Sequence, residues 1–308
     1  MPRDEDDDED YAPSKRVKKK GGSASAVALK PVKATEYGVI RGKVAWEGPE
    51  PSFAEETAKL RAAMSGSQDK DYCLTGKTPD GKGAGLEPCE AEQQTFRIGK
   101  NKQLGNVFVW IQPEPGHYFE IPKEQLEAVP KTITLTQPHC SFLPHCLVLF
   151  PSYRGPDGKL VPTGQKFFIE NDARVGHNAN VKGGPLNTGQ GSSIEGMKGD
   201  GPAKKIDIVL KPDSTPVTIA CNIHGWMMAW ARVYDHPYAT LSSVGADPKA
   251  KRWENLDSPE VGTYEIKGVP VGAKVKLFAW HEVRGPLGEA KGKEIVLKKE
   301  NVEDFTAK

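Results

Sequence analysis

Between residues 131 and 237 the chain is cut into short apolar runs by turn residues, and this punctuation constrains the fold most. The runs are Thr132–Thr136, Cys146–Phe150, Lys166–Glu170, Lys205–Leu210, Val217–Cys221 and Met228–Tyr234. Each has the length of a strand. Where polar and apolar residues alternate, as at Ile206, Ile208 and Leu210, one side faces a core and the other faces solvent. The chain holds 32 Gly and 25 Pro among 308 residues, which favours loop-rich β architecture over helical bundles. The expected fold class is all-β, with a β-sandwich at its centre.

One of these runs ends in a concentrated set of metal donors. Thr215-Pro216-Val217-Thr218-Ile219-Ala220 leads into Cys221-Asn222-Ile223-His224-Gly225-Trp226-Met227. A thiolate, an imidazole and a thioether within seven residues suit a loop folded around one ion better than a helix face. Two imidazoles and one thiolate in a plane, with a distant thioether, describe a blue-copper site. The missing imidazole is best supplied by His177, in Asn171-Asp172-Ala173-Arg174-Val175-Gly176-His177-Asn178. Zinc is the chemical rival, since Cys and His suit it too, but Met is a poor zinc ligand. Met228 is an alternative axial sulfur. Trp226 and Trp230 flank the loop and read as packing residues. Cys140 and His145, with His139, form a candidate second metal site.

Segment 131–237 resembles a cupredoxin domain with a short amicyanin-type Cys-x-x-His-x-x-Met loop. The likeness extends through Phe142-Leu143-Pro144, the run Gly164–Asp172, and His177-Asn178. It implies a Greek-key sandwich holding one copper ion on His177, Cys221, His224 and Met227, with Asn178 bracing the ligand loop. It also implies that His224 sits at an exposed apolar end, where electrons leave. Two stretches depart from the small members of that family. Ser152–Thr163 reads as an insertion, and Lys182–Ala203 as a long Gly-rich loop.

The flanks read as further β modules. Val39–Trp46 and Asn106–Gln112 are strand-like, Phe53–Met64 is a short amphipathic helix candidate, and Lys70–Glu90 reads as a stapled loop. Pro122–Val129 is a helical turn or two. Beyond Asp235-His236-Pro237-Tyr238, the stretch Val261–Gly272 and the runs Lys274–Trp280 and Glu294–Leu297 resemble a carboxypeptidase-regulatory-like or transthyretin-like sandwich. The whole order is similar to bacterial multidomain cupredoxin-like proteins, some labelled methylamine utilisation proteins. The expected organisation is a disordered charged tail over 1–35, an N-terminal β module over 36–130, the copper domain over 131–237 and a C-terminal Ig-like or transthyretin-like module over 238–308.

Charge is segregated rather than large. The net charge is +1, so no global field points to nucleic acid or a membrane surface. Asp4–Asp10 is acidic and Lys15–Lys20 is mostly basic, blocks that repel themselves and bury little. No 18-residue apolar stretch predicts a transmembrane helix. No basic–apolar–small leader opens the chain, although the resemblance implies an extracytoplasmic location. With Cys221 assigned to metal, Cys73, Cys89, Cys140 and Cys146 remain. They are read as two disulfides of undetermined pairing, or as buried thiols.

No P-loop, dinucleotide fingerprint, nucleophile elbow or paired-carboxylate signature is present, so no enzymatic role is expected. The first functional reading is a copper electron carrier that exchanges electrons with a redox protein partner. The alternatives are a non-redox β scaffold and a copper storage or delivery protein. A strong visible charge-transfer band with a reversible potential, an intact fold without metal, and rapid release to a chelator separate the three.

Overall fold

The computed structural model describes residues 29–199, 201–249 and 257–308. Strands dominate and the helices are few and short, so the chain is all-β in class. Among the described residues no helix is long and apolar enough to cross a membrane.

Segment 131–237 forms two facing sheets. One orders Gln190–Ile194, His177–Lys182, Val217–Ala220, Met228–Val233 and Cys146–Leu149. Its pairs are antiparallel except the last, which is parallel. The other orders Lys204–Ile208, Lys166–Asn171 and Thr132–Thr136. Period-two alternation turns Phe167 and Ile169 of one sheet, and Val217, Ile219, Ala229 and Ala231 of the other, into a single core. The predicted Ser152–Thr163 insertion is a hairpin, with Ser152–Arg154 paired to Leu160–Pro162. The Gly-rich stretch is not all loop, because Gln190–Ile194 adds a strand beside His177–Lys182.

The flanking segments do not form two separate modules. Tyr37–Trp46 pairs antiparallel with Thr263–Pro270, and in parallel with Glu300–Val302 and Phe305–Ala307. Phe108–Pro113 pairs antiparallel with Lys274–His281 and with Ala239–Leu241. Ile40, Val44, Val109 and Ile111 share one core with Ile266, Val269, Leu277 and Phe305. The reason is backbone satisfaction. A strand as apolar as Tyr37–Trp46 needs partners for its N–H and C=O groups, and the C-terminal segment provides them. The segment 131–237 is thus inserted into one outer assembly built from both ends of the described chain.

The expected boundary at 130 also shifts. The helix Phe53–Ser65 ends in the buried Met64, and Lys70–Thr75 carries the buried Tyr72 and Cys73. These three join the core of the inner domain, beside Leu135 and Ile219. The helical pair therefore belongs physically to the inner sandwich.

The acidic and basic runs of the expected tail lie outside the described residues. The end of that expected tail, however, is ordered. Lys30–Val32 pairs in parallel with His117–Phe119, and Val32 packs on the outer core. Three residues including a proline offer no alternation to read, which is why sequence reasoning missed the strand. A chain lacking residues 1–34 is expected to melt lower than the full chain. Loss of Val32's burial, on the order of 1 kcal/mol, corresponds to a shift of about 2–4 °C. An unchanged melting temperature would show that this pairing carries no stability.

Candidate metal centre

The sheet brings the ligand loop to His177. Val217–Ala220 runs antiparallel to His177–Lys182, with Ala220 opposite Asn180. The chain then leaves the sheet at Cys221 and closes on itself. Cys221 N–H donates to Met227 O at 3.2 Å, and Met227 N–H donates to His224 O at 2.9 Å. Asn178 Oδ1 accepts the Asn222 N–H at 2.6 Å, which ties the first histidine's strand to the loop.

Three donor atoms converge in the interior. His177 Nδ1 and His224 Nδ1 are 2.9 Å apart, and Cys221 Sγ lies 4.0 and 3.9 Å from them. The circle through these three atoms has a radius of about 2.1 Å. A first-row metal reaches imidazole nitrogen and thiolate sulfur at about 2.0–2.3 Å, so the triangle has the size of a trigonal ion site. His177, Cys221, His224 and Met227 are all buried. Met227 belongs to the same core as Cys221, whereas Met228 is 41% exposed at the start of its strand. The exposure of Met228 argues against it as the alternative axial sulfur.

The outer nitrogens orient the rings. His177 Nε2 lies 2.6 Å from the His139 carbonyl, which can only accept, so Nε2 carries a proton and Nδ1 is turned inward. His224 Nε2 lies 3.0 Å from Asp69 Oδ2, with the same consequence. Ligating histidines typically donate their second N–H to a carbonyl or carboxylate in this way. His139 is held in turn by Glu90, whose Oε2 is 2.7 Å from its Nδ1.

Electrostatics favour a cation at the same point. Burial pushes the Cys221 thiol up. Hydrogen bonds from His177, His224 and neighbouring backbone outweigh that and bring it down to about 5. Cys221 is therefore a thiolate at neutral pH, the ligating form. Burial depresses His224, but the Cys221 hydrogen bond and charge, then Asp69, outweigh it and raise the imidazole. The two inward nitrogens and the sulfur therefore share protons or a metal ion among them.

The exposed exit implied for His224 is not present. The His224 side chain is 0% exposed. Asp69, the N-cap position of Lys70–Thr75, makes no cap bond to its own helix and turns to His224 instead. A disulfide between Cys73 and Cys140 ties that helix to the inner domain across 67 residues of chain. In the chain-entropy account, closing a loop of that length is worth about 4 kcal/mol. Tyr72 adds to the anchorage, its hydroxyl accepting the Arg174 N–H at 2.9 Å. Trp226 packs 5.2 Å from the His224 ring, and its Nε1–H donates to Cys140 O at 3.0 Å.

The candidate site built on Cys140 and His145 does not form, because Cys140 is consumed by the disulfide. His145 turns to Glu282, with Nε2 at 2.5 Å from Oε1, while Trp230 Nε1–H donates to Oε2 at 2.7 Å. Burial raises Glu282, but the charge and hydrogen bond of His145 outweigh it and hold the carboxyl low. Cys146 lies close enough to complete a three-donor group with His145 and Glu282. The carboxylate bridges His145 and Trp230 at the junction with the outer assembly. The expectation of two disulfides is corrected likewise: one forms, and Cys89 and Cys146 are separately buried thiols. Burial pushes Cys89 up to about 12 and holds Cys146 well above its ordinary value. His236 and His281 are buried and depressed by burial, the former to about 4.

Sequence reasoning missed Asp69 and Glu90. Asp69 acts on a histidine 155 residues away, and nothing in its own neighbourhood marks that role. Comparisons of the chain with family models, curated proteins and solved structures found no match.

Proposed function

We propose that the chain is a copper-binding electron-transfer protein, with His177, Cys221 and His224 as the strong donors and Met227 as the weak axial one. The observation that carries this reading is the buried triangle of two inward Nδ1 atoms and the Cys221 sulfur, sized for one ion. The segment 131–237 is read accordingly as a Greek-key cupredoxin domain. The strands of the outer assembly are read as transthyretin-like, and the setting as extracytoplasmic.

A bound copper would supply a one-electron couple between its cuprous and cupric forms. The chain's own contribution is rigidity. His177 is fixed by the His139 carbonyl and His224 by Asp69, so neither ring need turn as the charge at the centre changes. Asn178 holds the loop against the strand. Burial of all four donors keeps water and substrate out, which suits electron transfer rather than bond-making. A redox partner would meet the loop at its exposed residues Asn222, Ile223 and Gly225.

The test is metal content together with a visible spectrum after copper loading. About one copper per chain and an intense thiolate-to-copper band are expected; a colourless, copper-free chain with intact fold overturns the reading. The axial assignment is tested by voltammetry. Met227→Leu is expected to keep the colour and raise the potential, because a donor that favours the cupric form is removed. Met228→Leu is expected to change it little. A larger shift for Met228 would place the loop one residue out of register.

A further inference from the structure

Where the inner sandwich meets the outer assembly, the fold brings three further donors together. Sγ of Cys146, a ring nitrogen of His145 and a carboxylate oxygen of Glu282 all lie within 4.8 Å of one another. His145 and Cys146 stand at the start of the inner strand Cys146–Leu149, and Glu282 follows the outer strand Lys274–His281. Cys146 is a buried free thiol, and the side chains of His145 and Glu282 are only 11% and 8% exposed. Cys146 packs with Phe108, Trp110 and Tyr234, so one side of the group is aromatic and dry. His145 also lines a cavity of about 220 Å³, with Asn106, Thr136 and Pro144, which has room for water.

We propose that Cys146, His145 and Glu282 hold a second metal, a divalent ion of the zinc type, with water from the cavity as its fourth ligand. Zinc takes thiolate, imidazole and carboxylate donors in tetrahedral sites, and three protein donors with one water is an arrangement it adopts. Charge selects the ion. A dication with one thiolate, one carboxylate and one neutral imidazole leaves no net charge to bury, whereas Cu(I) would leave a buried negative charge. Cu(II) favours tetragonal sites instead. Glu282 can ligate without losing its hold on Trp230. Its Oε2 accepts Trp230 Nε1–H at 2.7 Å, and its Oε1 faces His145 Nε2 at 2.5 Å. A carboxylate offers about four acceptor positions, so the ion takes the place of the His145 hydrogen bond and the Trp230 bond stays. The Cys146 thiol proton and one proton of the His145–Glu282 pair leave to solvent. The ion would then tie two positions 137 residues apart, fastening the inner domain to the outer assembly. None of this depends on the copper reading of the inner centre.

The experiment uses Co2+ as a coloured stand-in for Zn2+, because a cobalt–thiolate bond absorbs strongly. The full chain carrying Cys221→Ser, with its disulfide intact, is titrated with Co2+. That substitution removes the thiolate of the inner centre, so any thiolate-to-cobalt band arises elsewhere. The band is expected to appear and to be displaced by Zn2+. Adding Cys146→Ser is expected to abolish it, and adding Glu282→Gln to weaken cobalt binding by at least about tenfold. If the Cys146 variant does not fold, Cys221→Ser/Cys89→Ser serves instead. It leaves Cys146 as the only free thiol, and the band is expected to persist. Absence of the band in the Cys221→Ser chain overturns the site. So does a band that survives Cys146→Ser or is lost with Cys89→Ser, because the sulfur is then Cys89. Cobalt affinity unchanged by Glu282→Gln overturns it as well.

Discussion

A chain carrying Cys221→Ser is expected to stay colourless on copper loading. The intense visible band of a copper–thiolate site belongs to the sulfur–metal bond, and serine cannot supply it. Affinity is expected to fall by more than about 100-fold, beyond the ten- to hundredfold typical of losing a residue that only supports a ligand. The comparison that sharpens this is Asp69→Asn. An amide oxygen can still accept the His224 N–H, so that variant should keep its colour and lose only part of its affinity. The fold is expected to survive Cys221→Ser, because the volume change is small. Retention of the band in Cys221→Ser would place the colour, and the metal, elsewhere in the molecule.

A chain truncated after residue 237 is expected to lose the outer assembly outright. Were the N-terminal strands an independent module, they would fold without the rest. Instead Tyr37–Trp46 would lose Thr263–Pro270, Glu300–Val302 and Phe305–Ala307, all of its strand partners in its sheet. Phe108–Pro113 would lose Lys274–His281 and Ala239–Leu241. Ile40, Val44, Val109 and Ile111 would then face solvent on one side. Each fully exposed aliphatic side chain forfeits about 1.5–3 kcal/mol, and several together exceed the 5–15 kcal/mol that holds a typical domain. Hydrogen exchange resolved along the sequence checks this: amides of 37–46 and 108–113 should exchange freely, while those of 166–171 and 217–220 stay protected. Protection of 37–46 in the truncated chain would show that the N-terminal strands fold alone.

What was legible in the sequence was local. Phe167 and Ile169, or Val217 and Ile219, alternate within a few residues, and the six expected inner strands fall within a residue or two of their bounds, while His177–Lys182 and Gln190–Ile194 were not read as strands. Cys221, His224 and Met227 sit on one loop, so their convergence needs only a turn, and His177 follows from a neighbouring strand. What was not legible depends on partner choice over long distances. Tyr37–Trp46 advertises a strand but not which strands will flank it. Asp69 looks like a helix cap, and only the folded chain shows its carboxylate aimed at His224. Cys140 was compatible with a metal, a disulfide or the core, and the position of Cys73 decided among them.

The interleaving of the two ends also sets a timetable during synthesis. Tyr37–Trp46 leaves the ribosome long before Thr263–Pro270 exists. At about 5–20 residues per second, the interval is roughly 10–40 s. For that time an apolar strand has no partner, and unpaired strands invite pairing with other chains. Its exposed face carries Arg41 and Lys43, charges of the kind that keep such a segment from joining a neighbour. The inner domain closes sooner. Its helical cap is made first and its last strand ends at Val233, so the candidate donors can come together while the outer assembly is still half-written.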